Sequence, residues 1–179
     1  MSDLLVDNLA TLKKELIELI AQPDKIENTN KFASLLSELK NPAFIPPLLL
    51  QISLSNKKDA WLTNYLYAAI NLLRESSFDD AFDVPPNFIP KLEDWIINNQ
   101  GELAWKAANL LKYLESESAE KIQLKKLEER GDFFLTYAEC ISGLMRYNSA
   151  KHVDLVKQIA GDKTRDNNLR EFCRDIISG

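Results

Sequence analysis

The sequence predicts an all-helical fold built from repeated pairs of antiparallel helices. First, the 179 residues include only 5 glycines, and leucine and isoleucine greatly outnumber valine. This bias favours helices, because glycine and β-branched residues are less stable in a helix than unbranched ones. Second, apolar residues recur at helical spacing, and third, helical segments of similar pattern recur along the chain.

The first 40 residues are predicted to form an N-terminal helix pair. An apolar stripe with spacings that alternate between four and three residues comprises Leu5, Leu9, Leu12, Leu16 and Leu19. This spacing is typical of one face of an amphipathic helix over residues 4–20. A second, shorter helix is marked by Phe32, Leu35, Leu36 and Leu39.

A repeat begins at Asn41. Its first helices start alike, with a helix-start signal and then an aliphatic residue, over 41–52, 85–96, 118–129 and 149–160. Second helices with small residues in their middles follow over 65–73, 105–114, 136–145 and 169–177. The aliphatic positions are 44, 33 and 31 residues apart, and two helices per interval of this length are typical of an α-solenoid. We therefore predict a single domain over 1–179, with about nine to ten helices and about four helical hairpins over 41–179.

Two features modify this repeat. Asn41-Pro42 is a helix-start signal, and we expect Pro46 and Pro47 to delay the regular part of the helix because neither has a backbone donor. The first interval is the longest, so residues 76–86, SSFDDAFDVPP, are predicted to be a loop inserted between repeats.

Alanine pairs lie in the middle of two second helices, at 68–69 and 107–108, and leucines follow them. Small side chains allow neighbouring helices to approach closely. Together with the Asn41-Pro42 opening, this pattern resembles the HEAT-like repeat family over roughly residues 41–179. The basic residue that usually precedes the alanines is matched by Lys106, whereas Tyr67 takes its place in the preceding repeat. The resemblance implies a right-handed α-solenoid whose second helices line the concave face.

Polar and aromatic residues occupy the side of the second helices opposite the apolar arc, at about 100° per residue. These predicted partner-binding residues are Tyr67, Asn71, Arg74, Trp105, Asn109, Lys112 and Glu139. The resemblance implies that they share one inner ridge, and amphipathic aromatic residues dominate interface energetics. Packing of Trp105 onto an adjacent helix is the alternative, while Trp61 and Trp95 are predicted to belong to the core.

The inserted loop carries Asp79, Asp80 and Asp83. A calcium loop of the EF-hand type requires a glycine in its middle and a glutamate at its twelfth position. Neither is present here, because the twelfth position falls on Pro90 or Lys91. We therefore predict no metal site, and the aspartates remain candidates for partner contact, with a plain connector as the alternative.

The residue types of catalysis show no supporting pattern. The only histidine, His152, lies in the first turn of a predicted helix, where an exposed side chain is expected. Cys140 and Cys173 fall in apolar helix stretches, which predicts burial, and they lack the spacing of zinc ligands. Glycine-rich phosphate loops and nucleophile elbows are absent from the sequence. We predict no catalytic residue and no cofactor.

The net charge of −5 disfavours nucleic acids and anionic membranes as main partners. The N-terminal residues lack the order of a signal peptide and no apolar run is long enough for a bilayer, so a cytoplasmic, monomeric protein is expected. A non-catalytic protein-binding module fits these features. A small acidic solenoid also resembles some bacterial immunity proteins, which implies a basic, nuclease-like toxin as partner. An adaptor in a larger assembly and a HEAT-like nucleic-acid repair enzyme are the alternatives.

Overall fold

The computed structural model describes residues 2–75 and 83–178, with side chains from residue 8 onward. Over these ranges the chain is all-helical and contains no β-strand, so the all-helical part of the prediction is confirmed. The α-helices are α1 Ser2–Ile20, α2 Thr29–Leu39, α3 Ile45–Leu54, α4 Leu62–Glu75, α5 Phe88–Ile97, α6 Glu102–Leu111, α7 Glu117–Glu128, α8 Phe134–Gly161 and α9 Asn167–Ser178. They cluster in two compact units, Met1–Phe88 and Ile89–Gly179.

The N-terminal unit is built on α4, which packs against α2 and α3. Its apolar arc is buried as the helical period predicts, and Trp61 is a core residue as expected. The Tyr65 ring lies 4.9 Å from the Trp61 ring, and its hydroxyl donates a hydrogen bond to the Ile20 carbonyl at 3.2 Å. Burial raises the pKa of Tyr65, with a smaller contribution from Asp24. A buried tyrosine with a satisfied hydroxyl fixes the end of α1 onto this core.

The leucine stripe of α1 predicts the helix correctly but not its environment. Leu16 is buried, and so is Ile20 at the end of the helix. Leu9, Leu12 and Leu19 remain 64%, 46% and 39% exposed. Periodicity shows which residues share a face, whereas the neighbour that covers the face is a tertiary property.

The start of α3 follows the prediction. The Asn41 side chain accepts a hydrogen bond from the Ala43 amide at 3.0 Å, as its position suggests. A 3₁₀ turn over Pro42–Phe44 comes first, and the regular α-helix begins only at Ile45, with Pro46 and Pro47 in its first turn. The first amides of a helix have no intrahelical acceptor, so proline loses no hydrogen bond there.

In the C-terminal unit, α8 packs against α6, α7 and α9. The α7–α8 contact is close at Gly143, where an added Cβ would lie 2.1 Å from the side-chain amide nitrogen of Gln123. Cys140 and Cys173 are buried, as predicted. Burial raises the pKa of Cys140 to about 12 and that of Cys173 to about 11, so both thiols are poor nucleophiles. Trp95 is a core residue, as expected.

The predicted helices over 136–145 and 149–160 form one element of 28 residues, interrupted only at Asn148 (φ −159°, ψ 86°). The Asn148 side chain accepts a hydrogen bond from the Lys151 amide at 3.1 Å, in the manner of an N-cap residue. The predicted helix start at residue 149 therefore coincides with this kink.

His152 lies directly after the kink, and the expectation that it is exposed is wrong. Only 3% of the residue is accessible, and its Nε2 lies 2.7 Å from Glu120 Oε1 on α7. Lys151 Nζ lies 2.5 Å from the same oxygen. The hydrogen bond from Lys151 lowers the pKa of Glu120 most, burial raises it, and the bond with His152 lowers it further. The burial of His152 results from α7, which sequence position alone does not show.

Candidate functional site

The structure brings four of the predicted partner-binding residues together in the C-terminal unit. Trp105, Asn109 and Lys112 follow one another along α6 and the residue after it, at spacings that place them on one face. Glu139 projects from the neighbouring α8, and its carboxylate meets all three side chains. The donor–acceptor distances are 3.4 Å for Trp105 Nε1, 2.8 Å for Asn109 Nδ2 and 2.5 Å for Lys112 Nζ.

This cluster is partly buried, and its charges are paired within it, whereas the buried Asn109 Oδ1 has no hydrogen-bond partner among the described residues. The side chains of Lys112 and Glu139 are 18% and 15% exposed. Their charges neutralise each other, and the carboxylate already accepts hydrogen bonds from the indole of Trp105 and the amide of Asn109. The cluster therefore holds the α6 and α8 side chains in place and is not an open polar binding group.

Trp105 combines the two alternatives predicted from the sequence, an outward-facing binding residue and a residue that packs onto an adjacent helix. Its indole nitrogen is held by Glu139, and its ring stands edge-on to that of Phe133, with centroids 6.2 Å apart and an interplanar angle of 84°. Phe133 is 45% exposed, and its ring also contacts that of Phe134 at 5.6 Å. An open depression of about 590 Å³ adjoins both rings, between the α5–α6 and α7–α8 loops. We call the Trp105 and Phe133 rings the aromatic platform.

Sequence reasoning missed Phe133, although a signal was available. Phe133 and Phe134 are adjacent at the start of α8. Phe133 is the residue before the first turn of α8 and has extended backbone (φ −60°, ψ 127°), so its side chain does not follow the helical phase of the buried face of α8. A second phenylalanine directly before a helix start is the signal that could have drawn attention to it.

Asp132 ties down the loop that carries Phe133. Its Oδ1 accepts hydrogen bonds from the Phe133 amide at 2.6 Å and from the Gly101 amide at 3.1 Å. Its Oδ2 lies 2.9 Å from Lys126 Nζ, and these two side chains are 2% and 1% exposed. Burial lowers the pKa of Lys126, but hydrogen bonds to Glu129 and Asp132 raise it overall, so the ammonium stays charged.

Two glycines shape the loops around the platform. Gly101 and Gly131 have φ values of 70° and 88°, a region that glycine adopts without a Cβ clash. Asp132, directly after Gly131, joins the two loops through the Gly101 amide. The sequence did not single out this buried link, because the partner of a lone aspartate is not visible in a chain.

The other predicted residues lie in the N-terminal unit or outside the described ranges. Tyr67 is 44% exposed on α4. Asn71 donates a hydrogen bond to Ser37 Oγ at 3.3 Å and accepts one from Arg74. Asp83 is exposed, whereas Asp79 and Asp80 lie outside the described residues.

Two further findings concern metal binding and membrane insertion. Across residues 2–75 and 83–178, no group of three or more His, Cys, Asp or Glu side chains is arranged to hold a metal ion. No helix in the same ranges is both long and apolar enough to span a bilayer.

Comparison with known proteins gave no matching family model, curated protein or solved structure.

Proposed function

We propose that this chain is a non-catalytic protein-binding module and that its partner docks on the aromatic platform. The observation that carries the proposal is an exposed phenylalanine and a partly exposed tryptophan beside one open depression. Aromatic side chains that become fully desolvated in a complex supply most of the binding energy of typical protein interfaces. Each ring offers apolar area at little cost in side-chain entropy.

The supporting side chains favour this use of the platform. Glu139 holds the indole of Trp105, and Asp132 holds the amide of Phe133. A surface that is ordered before the partner arrives loses less conformational entropy on binding. The same hydrogen bonds therefore increase the affinity that the two rings can provide.

The proposal includes a finer architecture, a right-handed HEAT-like solenoid with α4, α6, the first half of α8 and α9 as second helices. Its support is the direct packing of α6 on α8 and the complete burial of Ala107 and Ala108. Small residues at this position let the second helix of a repeat approach its neighbours. The resemblance places such helices on the concave, partner-facing side.

The proposed partner is a protein with a basic surface. The net charge of −5 steers basic partners towards the chain and opposes acidic ones. Among protein-binding modules, this charge favours an immunity-type inhibitor. Such an inhibitor would neutralise a basic, nuclease-like toxin in the cytoplasm. An adaptor would use the same platform for several partners with weaker binding.

The test compares Trp105→Ala and Phe133→Ala with the wild type in affinity capture from the native source, followed by titration of the recovered protein. Leu54→Ala is the matched control, because Leu54 is an exposed apolar residue (70%) of the other unit. We expect each platform variant to weaken binding by about thirtyfold or more, the effect of a hot-spot residue worth 2 kcal/mol. The control should bind like the wild type.

Equal binding by all three variants would overturn the proposed site. Thermal unfolding of each variant shows that lost binding is not lost folding, since an exposed substitution such as Phe133→Ala changes stability by about 0.5 kcal/mol or less. One basic partner bound tightly in a one-to-one complex supports the immunity-type reading. Several weaker partners support the adaptor.

A further inference from the structure

A second depression of the C-terminal unit, of about 460 Å³, lies between the α7–α8 and α8–α9 loops. Arg130 and Arg165 both line it. Gly131 and Asp132 border this depression as well as the one beside the aromatic platform. None of the predicted partner-binding residues lines it, and the protein-binding proposal does not depend on it.

Arg165 is buried and only partly satisfied. Its side chain is 7% exposed, and its terminal nitrogens donate to the carbonyls of Glu129, at 2.9 Å, and of Leu127 at the end of α7. Its Nε is buried and has no hydrogen-bond acceptor among the residues that the structure describes. The nearest carboxylate oxygen, Asp162 Oδ2, is 3.9 Å away. A buried donor without an acceptor is costly, more so in a charged group.

Arg130 adds a second cation beside the first. Its side chain is 51% exposed, and its Nη2 lies 3.4 Å from the same Asp162 oxygen. Its Nη1 donates to the carbonyls of Leu127, Glu128 and Glu129 at the end of α7, at 3.5, 3.2 and 3.1 Å. The Asp162 carboxylate is thus the ionic partner of both guanidinium groups, at 3.4 Å and 3.9 Å. It also accepts hydrogen bonds from the amide and hydroxyl of Thr164. Burial lowers the pKa of Arg165, and the proximity of Arg130 lowers it further.

The two carboxylates that line the depression are engaged elsewhere. Asp132 lies 2.9 Å from the ammonium of Lys126. Asp166 Oδ1 accepts hydrogen bonds from the amides of Asn168, at 2.8 Å, and Leu169, at 3.3 Å, at the start of α9. Neither carboxylate has a hydrogen bond to Arg130 or Arg165 among the described contacts.

We propose that this depression binds a small oxyanion, a phosphate or a carboxylate group, between Arg130 and Arg165. Guanidinium N–H groups form charge-assisted hydrogen bonds with the oxygens of both groups, and the Arg165 Nε–H has no other acceptor among the described residues. The exposed Arg130 closes on the ligand, while Arg165 forms the charged floor. Phosphate and carboxylate share this chemistry, and the experiment distinguishes them.

The experiment follows the side-chain Nε–H signals of the arginines and the Gly131 amide by ¹⁵N NMR. Inorganic phosphate and acetate are titrated separately, with chloride at the same ionic strength as reference. We expect saturable shifts at Arg130, Arg165 and Gly131 that chloride does not produce. A response to both anions shows a general oxyanion site, and a response to one identifies its chemistry. No saturable shift with either anion overturns the proposal.

Three variants test the assignment to these residues. Arg130→Ala should weaken binding about tenfold, the loss of one hydrogen bond to a charged group. Lys163→Ala removes an exposed cation of the same loop that does not line the depression, so affinity should change by less than about twofold at moderate ionic strength. Asp166→Asn keeps a side-chain acceptor for α9 but removes a negative charge, and should tighten binding about threefold to tenfold.

The gain expected for Asp166→Asn cannot arise from a loss of folding, so it remains informative if Arg130→Ala is less stable. Equal weakening by Arg130→Ala and Lys163→Ala would indicate unspecific charge attraction and overturn the proposal. So would an unchanged affinity in Asp166→Asn.

Discussion

At the scale of single residues, Gly143 shows how closely α7 and α8 pack. The Cβ of an alanine there would lie 2.1 Å from Gln123 Nε2 and 2.8 Å from its Cδ. Gln123 is only 2% exposed, so its side chain has little space to move away. A side chain at position 143 therefore forces the Gln123 amide group to move, whereas the backbone of Gly143 is ordinary helix.

We predict that Gly143→Ala destabilises the fold by about 1–3 kcal/mol, the usual effect of overpacking a core. Urea unfolding followed by circular dichroism measures this change. Gly161→Ala is the matched control in the same helix, because nothing lies within 4 Å of the added Cβ. It should leave stability unchanged or raise it by up to about 1 kcal/mol.

The double variant Gly143→Ala/Gln123→Ala tests the cause of the effect. Removal of the Gln123 side chain makes room for the new methyl group, so the two substitutions should be non-additive by about 0.5 kcal/mol or more. Additive effects, or equal effects of the two glycine substitutions, would contradict the close contact.

At the scale of elements, Glu120 connects α7 to the second half of α8. Its carboxylate lies within hydrogen-bond distance of both Lys151 and His152, directly after the kink at Asn148. The kink redirects the chain so that residues that begin a new helical segment meet α7. The contact between α7 and the second half of α8 thus depends on the kink at Asn148 and on the carboxylate of Glu120.

We predict that Glu120→Gln removes a pH-dependent part of the stability. The pKa of Glu120 is lowered in the folded state, chiefly by the hydrogen bond from Lys151. Its contribution is therefore fully present above the unfolded pKa of glutamate, about 4.3, and is lost as the pH falls through the folded pKa. The wild type should exceed the variant in stability near neutral pH, and the difference should shrink below about pH 4.

Urea unfolding over a pH series measures this difference. Glu128→Gln, an exposed residue of the same helix, is the control and should leave the pH profile of the wild type unchanged. A difference in unfolding free energy between wild type and Glu120→Gln that stays constant at all pH values would show that the contact acts through packing alone.

At the scale of the whole molecule, the division into two compact units makes a direct prediction. The segment 89–179 contains its own core around α8 and its own buried ion pair, Lys126 with Asp132. A segment with these features meets the criteria of an independently folding domain. We predict that it folds alone, with helical circular dichroism and a cooperative urea transition.

Gly143→Ala introduced into the isolated segment should lower its transition midpoint, as in the full chain. A segment without helix, or one that unfolds gradually, would favour the single domain predicted from the repeats. Each repeat of a solenoid relies on its neighbours for stability, so a single continuous solenoid would tolerate this truncation less well.

Helices were more predictable from the sequence than their surroundings. The period of the apolar residues locates α4 and α6 and the residues that they bury, because this information is local. The burial of His152 and the exposure of Leu9 depend on which helix lies opposite, which no local pattern encodes. At the candidate site, Trp105 and Glu139 were predictable from helical phase, whereas their direct contact and the role of Asp132 required tertiary packing.

The short wall formed by Gly131 and Asp132 has a thermodynamic consequence, because it borders both depressions. A ligand that shifts this wall on one side alters the affinity on the other side. Linkage then requires the two effects to be equal in free energy, whichever ligand binds first. An oxyanion and a protein partner that both displace Gly131 and Asp132 would therefore change each other's affinity by the same factor.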